Sequence, residues 1–279
     1  MRQSKKYPLL NDIAWLKQKY EVDKLSTIQI GSLVGGANCG QVTRRLAIFG
    51  IQVRTKSEGH TCNREGDGFR LNESVVTGCL LGDGDFYANN RDSDGSYPIF
   101  RKNNIYYDHI VYVAKMLFDK WEERISEGKN DGGFGKGTIF SLRSLTHQEL
   151  MPWFRKWYPP KNNFVKIIPE NIKIDEKVLL HWFLDDGYSC RRKNRCGKVY
   201  AGFASMCFQR DEQEMLVEKI QKKFGIRMKV SYHQRNGEVK GTGWEIIVPQ
   251  SQTQQFFEII GPPPVSSLAY KWKFGHGFL

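Results

Sequence analysis

The feature that most limits what this chain can fold into is an internal repeat. Val76-Thr77-Gly78-Cys79-Leu80-Leu81-Gly82-Asp83-Gly84 lines up with Leu179-Leu180-His181-Trp182-Phe183-Leu184-Asp185-Asp186-Gly187. Each copy is an apolar run of helical length that ends in Asp-Gly. Each is followed by a basic, aromatic stretch with strand character, FYANNRDSDGSYPIFRK in the first and YSCRRKNRCGKVYAGFAS in the second. A helix pattern comes next, YYDHIVYVAKMLFDKWEE and RDEQEMLVEKIQKKFG, and then further strand and helix signals such as RMKVSYHQR, GWEIIVPQ and SQTQQFFEIIG. Each copy reads αββαββα. Two copies are too few for a solenoid, so they are expected to close into one pseudo-two-fold body.

An Asp at a helix C-terminus is electrostatically awkward, because that end already carries the negative pole of the macrodipole. A divalent cation reverses the argument. Carboxylate oxygens, the unpaired carbonyls of the last turn and water form a hard-oxygen set suited to Mg²⁺. One Asp-Gly would be read as a turn. Two, each closing an apolar helix and related by the repeat, point instead to a paired site at Asp83 and Asp186.

The first 56 residues form a different pattern. LNDIAWLKQKY has helical spacing with Asn11 or Asp12 as its cap. Ser26 can cap a short helix, TIQIGSLV, which the pair Gly35-Gly36 breaks. Asn38 can cap a third, CGQVTRRLAIF, which Gly50 ends. Helix, short helix, glycine turn and helix make a helix-turn-helix pattern, whose last helix enters the DNA major groove. Gln41, Thr43, Arg44 and Arg45 are the side chains such a helix would present. The alternative is a three-helix module with no DNA role. Residues 57–71 are polar and glycine-bearing and read as a linker, leaving 72–170 and 171–279 as the two repeat halves.

Net charge narrows the partners. The 279 residues carry a formal charge of +12, which favours a polyanion such as nucleic acid. No apolar run reaches the roughly 20 residues of a membrane span, and MRQSKKYPLL lacks the apolar core of a signal peptide. A soluble intracellular protein is expected. The six cysteines show no CxxC spacing, so they are read as reduced thiols and not as a zinc site.

The pair VVTGCLLGDG and LLHWFLDDG resembles the two motifs of a single-chain LAGLIDADG homing endonuclease. IFRKNNIYYDHI, FVKIIPENI and VSSLAYKWK are similar to segments that flank those motifs. The likeness spans about residues 72–279 and leaves out the helix-turn-helix pattern. It implies an α+β fold in which two antiparallel sheets form a saddle over the major groove and the motif helices pack at the centre. It places Asp83 and Asp186 at the metal-binding positions, and Gly82 and Asp185 where backbone carbonyls join the metal shell. Lys166 and Lys271 fall on active-site lysine positions; any one lysine in so basic a chain could equally be a solvated surface residue. One departure stands out. The small residues Gly78 and Gly82 of the first motif are matched by His181 and Asp185 in the second. His181, on an apolar helix face, is expected to pack in the core, with a role as catalytic base the alternative.

The resemblance further implies double-strand cleavage of a long, weakly symmetric DNA site by a monomer, leaving short 3′ overhangs. Mg²⁺ or Mn²⁺ is the expected cofactor, with Ca²⁺ binding but not supporting cleavage. Candidate DNA contacts are Arg91, Arg101 and Lys102 in the first half. In the second they are Arg191, Arg192, Lys193, Arg195, Lys198, Arg227, Lys229, His233, Arg235 and Lys240. Only alternate residues of a strand can face a groove. Two rival readings share the fold: a DNA-binding regulator that has lost cleavage, and a group I intron RNA maturase. A regulator is expected to lack the acidic helix ends, and both are present. A splicing intein is disfavoured by the Met start and the absence of a terminal His-Asn.

Overall fold

The structure, a computed structural model, describes residues 6–54, 68–88, 97–130, 137–191, 199–233 and 243–275. The chain divides into two compact units. One comprises residues 1–66 with 88–97 and 145–148, the other 67–87, 98–144 and 149–279.

In the smaller unit, α1 spans Ile13–Lys17, α2 Thr27–Leu33 and α3 Cys39–Ile48. Asp12, not Asn11, caps α1 by accepting the Trp15 N–H at 3.0 Å. The helix stops short of the Tyr20 its pattern suggested and passes into a π-type turn, Gln18–Val22. Ser26 with Gln29, and Asn38 with Gln41, form reciprocal capping boxes at α2 and α3. The turn between them needs glycine. Gly35 and Gly36 have φ of 92° and 89°, and a Cβ on Gly31 would lie 2.0 Å from the Ala37 carbonyl oxygen. Leu16, Ile30, Val42 and Leu46 fill the core between the helices. Arg54 closes the unit: its guanidinium donates to the carbonyls of Tyr20, Lys24 and Leu25 and lies 3.9 Å over the Tyr20 ring.

The larger unit repeats αββαββα, as its sequence does. The first half runs α4 (Glu73–Leu81), β1 (Gly84–Tyr87), β2 (Ile99–Asn104), α5 (Tyr107–Leu117), β3 (Ile125–Asn130), β4 (Gly137–Arg143) and α6 (Met151–Trp157). The second runs α7 (Glu176–Asp186), β5 (Gly187–Arg191), β6 (Val199–Phe203), α8 (Arg210–Phe224), β7 (Lys229–His233), β8 (Gly243–Val248) and α9 (Gln250–Ile260), then a 3₁₀ segment, Ser266–Trp272. Each half builds one antiparallel four-stranded sheet, β1-β2-β4-β3 and β5-β6-β8-β7. The fold is α+β with internal pseudo-symmetry.

Period-two burial on the strands turns one face of each sheet toward the helices. In the second half Phe203, Ile246 and Val248 are buried on that face. Phe183 of α7 meets Phe203, Phe256, Phe257 and Trp272 edge-on, at centroid distances of 5.8, 5.3, 5.6 and 5.1 Å. Each such buried ring contributes roughly 1.5–3 kcal/mol by burial alone, so this cluster fixes α7 on its sheet. Asn72 and Asp175 cap the starts of α4 and α7, accepting from the N–H groups of Val75 and Val178. Cys39, Cys79, Cys190 and Cys207 are free thiols, while Cys62 and Cys196 lie outside the described residues. No helix among the described residues is long and apolar enough to cross a membrane.

Candidate active site and nucleic-acid surface

α4 and α7 lie against each other because glycines on one face side chains on the other. A Cβ on Gly78 would lie 2.5 Å from His181 Cβ and 2.7 Å from the Val178 carbonyl oxygen; one on Gly82 would lie 2.4 Å from Asp185 Cβ. The bulky residues of the second motif therefore occupy the space that the small residues of the first leave open. Position 78 meets 178 and 181, and 82 meets 185, so the helices run in the same direction. Asp83, just past α4, and Asp186, the last residue of α7, emerge at one end of the crossing.

Two lysines occupy the frayed carbonyls of these helix ends. Lys166 Nζ donates to the carbonyls of Gly82 at 3.1 Å and Gly84 at 3.0 Å, on either side of Asp83. Lys271 Nζ donates to those of Phe183 (3.3 Å), Leu184 (2.8 Å) and Asp185 (2.7 Å), immediately ahead of Asp186. Terminal carbonyls have no partner within the helix, and a cation offsets the dipole there. The structure thus brings Asp83, Asp186, Lys166, Lys271, Gly82 and Asp185 together. Lys271 is buried in the 3₁₀ segment, and that burial pulls its pKa down to about 8 against the attraction of the aspartates.

Asp185 does more than lend a carbonyl. Its fully buried carboxylate forms an ion pair with Lys102 Nζ of β2, and its Oδ2 accepts the Asp83 N–H at 3.3 Å. Lys102 is a correction to the sequence reading. It was expected to face DNA, but its side chain has no exposed surface, because strand alternation turns it inward while Arg101 turns outward. Burial would favour a neutral Lys102; the Asp185 carboxylate, with Cys79 and Asp83, raises its pKa instead and keeps it charged. His109 of α5, which sequence reasoning missed, sits 3.6 Å from Asp185 Oδ1 with neither ring nitrogen hydrogen-bonded. Burial and Lys102 hold its pKa well below the usual histidine range, so it is neutral. His181 is also buried and neutral, stacked on Tyr112 at 5.6 Å, with its pKa pulled down to about 3 by burial.

Half-buried Asp186 has its pKa pushed up to about 8, first by burial and then by the charges of Asp83 and Asp185. Among the described residues no hydrogen-bond donor reaches its carboxylate. This is a carboxylate that a divalent cation would stabilise in its charged form, and the nearby donors are hard oxygens suited to Mg²⁺. Among the described residues no three His, Cys, Asp or Glu converge in a metal-holding cluster. A cation here would rest on Asp83 and Asp186 and complete its shell with carbonyls, water and phosphate oxygens.

The sheet faces turned away from the helices hold part of the expected DNA surface. Arg101 lies there, paired with Asp85 and 4.3 Å over the Tyr87 ring. Directly across the ladder sits exposed Arg143, which the sequence reading passed over. Lys229 shares the corresponding face of the second sheet through its pairing with Ile247. Arg227 is exposed just before β7, and His233 is the last residue of that strand. Arg191 is a second correction. It has the parity of Gly187 and Phe203, so it belongs to the helix side, in a cleft with Gln250, Lys273 and Phe274. Arg91, Arg192, Lys193, Arg195, Lys198, Arg235 and Lys240 lie outside the described residues.

On α3, Arg44 is exposed, Thr43 and Arg45 are half-buried, and exposed Gln41 already uses Oε1 to accept the Asn38 N–H at 2.9 Å.

The family described as "LAGLIDADG DNA endonuclease family" matches residues 73–256. The chain is 23% identical over 215 residues to "Probable intron-encoded endonuclease 1" of Wickerhamomyces canadensis, covering 74% of this chain and 85% of that one. It is 23% identical over 229 residues to "Uncharacterized protein MJ1098" of Methanocaldococcus jannaschii, covering 77% and 80%. Among solved structures, the homing endonuclease I-WcaI bound to its DNA recognition sequence aligns with a TM-score of 0.56 at 19% identity, covering 73% of this chain and 86% of that one. That likeness is one of fold.

Proposed function

We propose that this chain, which belongs to the LAGLIDADG DNA endonuclease family, cuts both strands of a long, weakly symmetric DNA site by Mg²⁺- or Mn²⁺-dependent hydrolysis and leaves short 3′ overhangs. The observation that carries this reading is the emergence of Asp83 and Asp186 at one end of the helix crossing, each beside a lysine seated on the neighbouring carbonyls. Hydrolysing a phosphodiester needs an activated water, neutralisation of the phosphate and help for the leaving oxygen. A bound divalent cation supplies Lewis acidity and lowers the pKa of an attacking water. Asp83 and Asp186 would hold it, with the carbonyls of Gly82 and Asp185 in reach. Lys166 and Lys271 fix the orientation of those carbonyls and put positive charge where negative charge builds on the phosphate. Ca²⁺, larger and less demanding of octahedral geometry, is expected to bind without supporting cleavage.

The outer sheet faces supply Arg101, Arg143 and Lys229 for phosphate and groove contacts. Residues 1–56 act as a tethered helix-turn-helix reader, adding affinity beside the cleavage site through raised effective concentration. The protein works as a monomer, since one chain carries both acidic ends. A binding-only regulator would leave those ends without a task. Intron RNA binding can coexist with cleavage and is separable by a splicing assay. The primary test is to incubate the protein with a randomised duplex library and Mg²⁺ and sequence the ends. A recurring site with 3′ overhangs is expected; a library left intact would remove the nuclease reading.

A further inference from the structure

We propose that Asp185 is a positioning residue that reaches from the second half of the repeat into the first and braces the acidic end at Asp83. The inference rests on the nuclease reading above and deepens it. Asp185 belongs to α7, yet both partners of its carboxylate belong to the first half: the buried Lys102 ammonium and the Asp83 N–H. The carboxylate thereby fixes the peptide that carries Asp83, while Lys102 fixes the carboxylate.

The brace has no counterpart on the other side. The pseudo-symmetry mate of Asp185 is Gly82, which has no side chain and no room for one, since its Cβ would lie 2.4 Å from Asp185 Cβ. The mate of Lys102 follows from strand register. Gly84 pairs with Lys102 on β2, and Gly187 pairs with Phe203 on β6. At the second acidic end the ammonium is therefore replaced by a buried phenyl ring, stacked on Trp182 at 3.8 Å. One end is held by a buried ion pair that crosses the repeat, the other by aromatic packing and Lys271. A site built this way depends on Asp185 for cleavage of one DNA strand and not equally for the other.

The test compares rates of cutting for each end-labelled strand of a duplex target. Removing one partner alone would leave the other charge buried, so the informative variant is K102M/D185A, which removes both. The ratio of the two strand rates is expected to shift by about tenfold, below the ~10²-fold that a ~1 Å misplacement can cost. K102M/D185N, which restores an acceptor for the Asp83 N–H, is expected to recover most of the ratio. Equal slowing of both strands, or no recovery by Asn, would show only a packing role and overturn the proposal. A target left uncut by the wild-type protein would overturn the nuclease reading beneath it, and a strand-neutral K102M/D185A the brace alone.

Discussion

Gly78→Ala is the sharpest test of the helix crossing, because two effects of known size oppose each other. Gly78 lies inside α4, where replacing Gly by Ala normally stabilises a helix by about 1 kcal/mol through propensity. Here the added Cβ would sit 2.5 Å from His181 Cβ, 2.7 Å from the Val178 carbonyl oxygen and 3.3 Å from the Trp182 nitrogen. Carbon atoms in contact prefer roughly 3.5–4.0 Å. Two of these three neighbours are backbone of α7, so no side-chain rotation relieves the clash and the helices must part by about 1 Å. Overpacking of this kind costs typically 1–3 kcal/mol, and a rigid backbone neighbour puts it at the upper end. The net is a loss of about 2 kcal/mol, a fall in Tm of roughly 4–8 °C at the 2–4 °C per kcal/mol usual for chains of comparable size. The same displacement separates Asp83 from Asp186, and about 10²-fold in cleavage rate should go with it. Thermal unfolding and plasmid linearisation measure the two effects. An unchanged or raised Tm with wild-type cutting would refute the close packing of α4 on α7.

Asp83→Asn and Asp186→Asn should each keep DNA affinity in a gel-shift assay and abolish linearisation of target plasmid; normal cutting by either would remove the mechanism. Deleting residues 1–56 should weaken binding and shorten the nuclease-protection footprint without stopping cleavage, and an unaltered footprint would sink the helix-turn-helix role. Buried His181 has its pKa lowered to about 3 from the ordinary 6.5, so the unfolded chain binds a proton that the native one refuses. Stability is therefore full above pH ~6.5 and falls as pH drops toward ~3, by up to about 1.4 kcal/mol per pH unit for that proton. His181→Phe should flatten this acid limb in urea unfolding measured between pH 7 and ~4, and an identical slope would place the imidazole elsewhere.

The two αββαββα halves were legible because burial writes period 3.6 and period 2 into the chain, and because the repeat says it twice. The glycine turn Gly35-Gly36 and the caps Ser26 and Asn38 were legible for a local reason: few residue types satisfy those backbone positions. Lys102 was not. In IFRKNN, alternation says that Arg101 and Lys102 face opposite ways, but which faces inward depends on pairing with β1 and on Asp185, which is distant in sequence and lies in the other half. Arg191 was misplaced for the same reason, since its parity is set by Gly187. Arg143 was hidden at the end of an apolar strand, GTIFSLR, and gains meaning only from its place opposite Arg101. His109 carries no signal in YYDHIV; its neutral state is created by tertiary burial beside Lys102.

The meeting of Gly82 with Asp185 also bears on how such a chain could have arisen and how it could be re-engineered. A homodimer of the first half would set glycine against glycine and bury two copies of Lys102 with no counter-charge, each costing roughly 3–5 kcal/mol for its lost partner. A homodimer of the second half would force two aspartates into the space of one. Neither half can substitute for the other. If the repeat began as two identical subunits, fusion into one chain released these positions from symmetry, and their present residues now forbid a return to it.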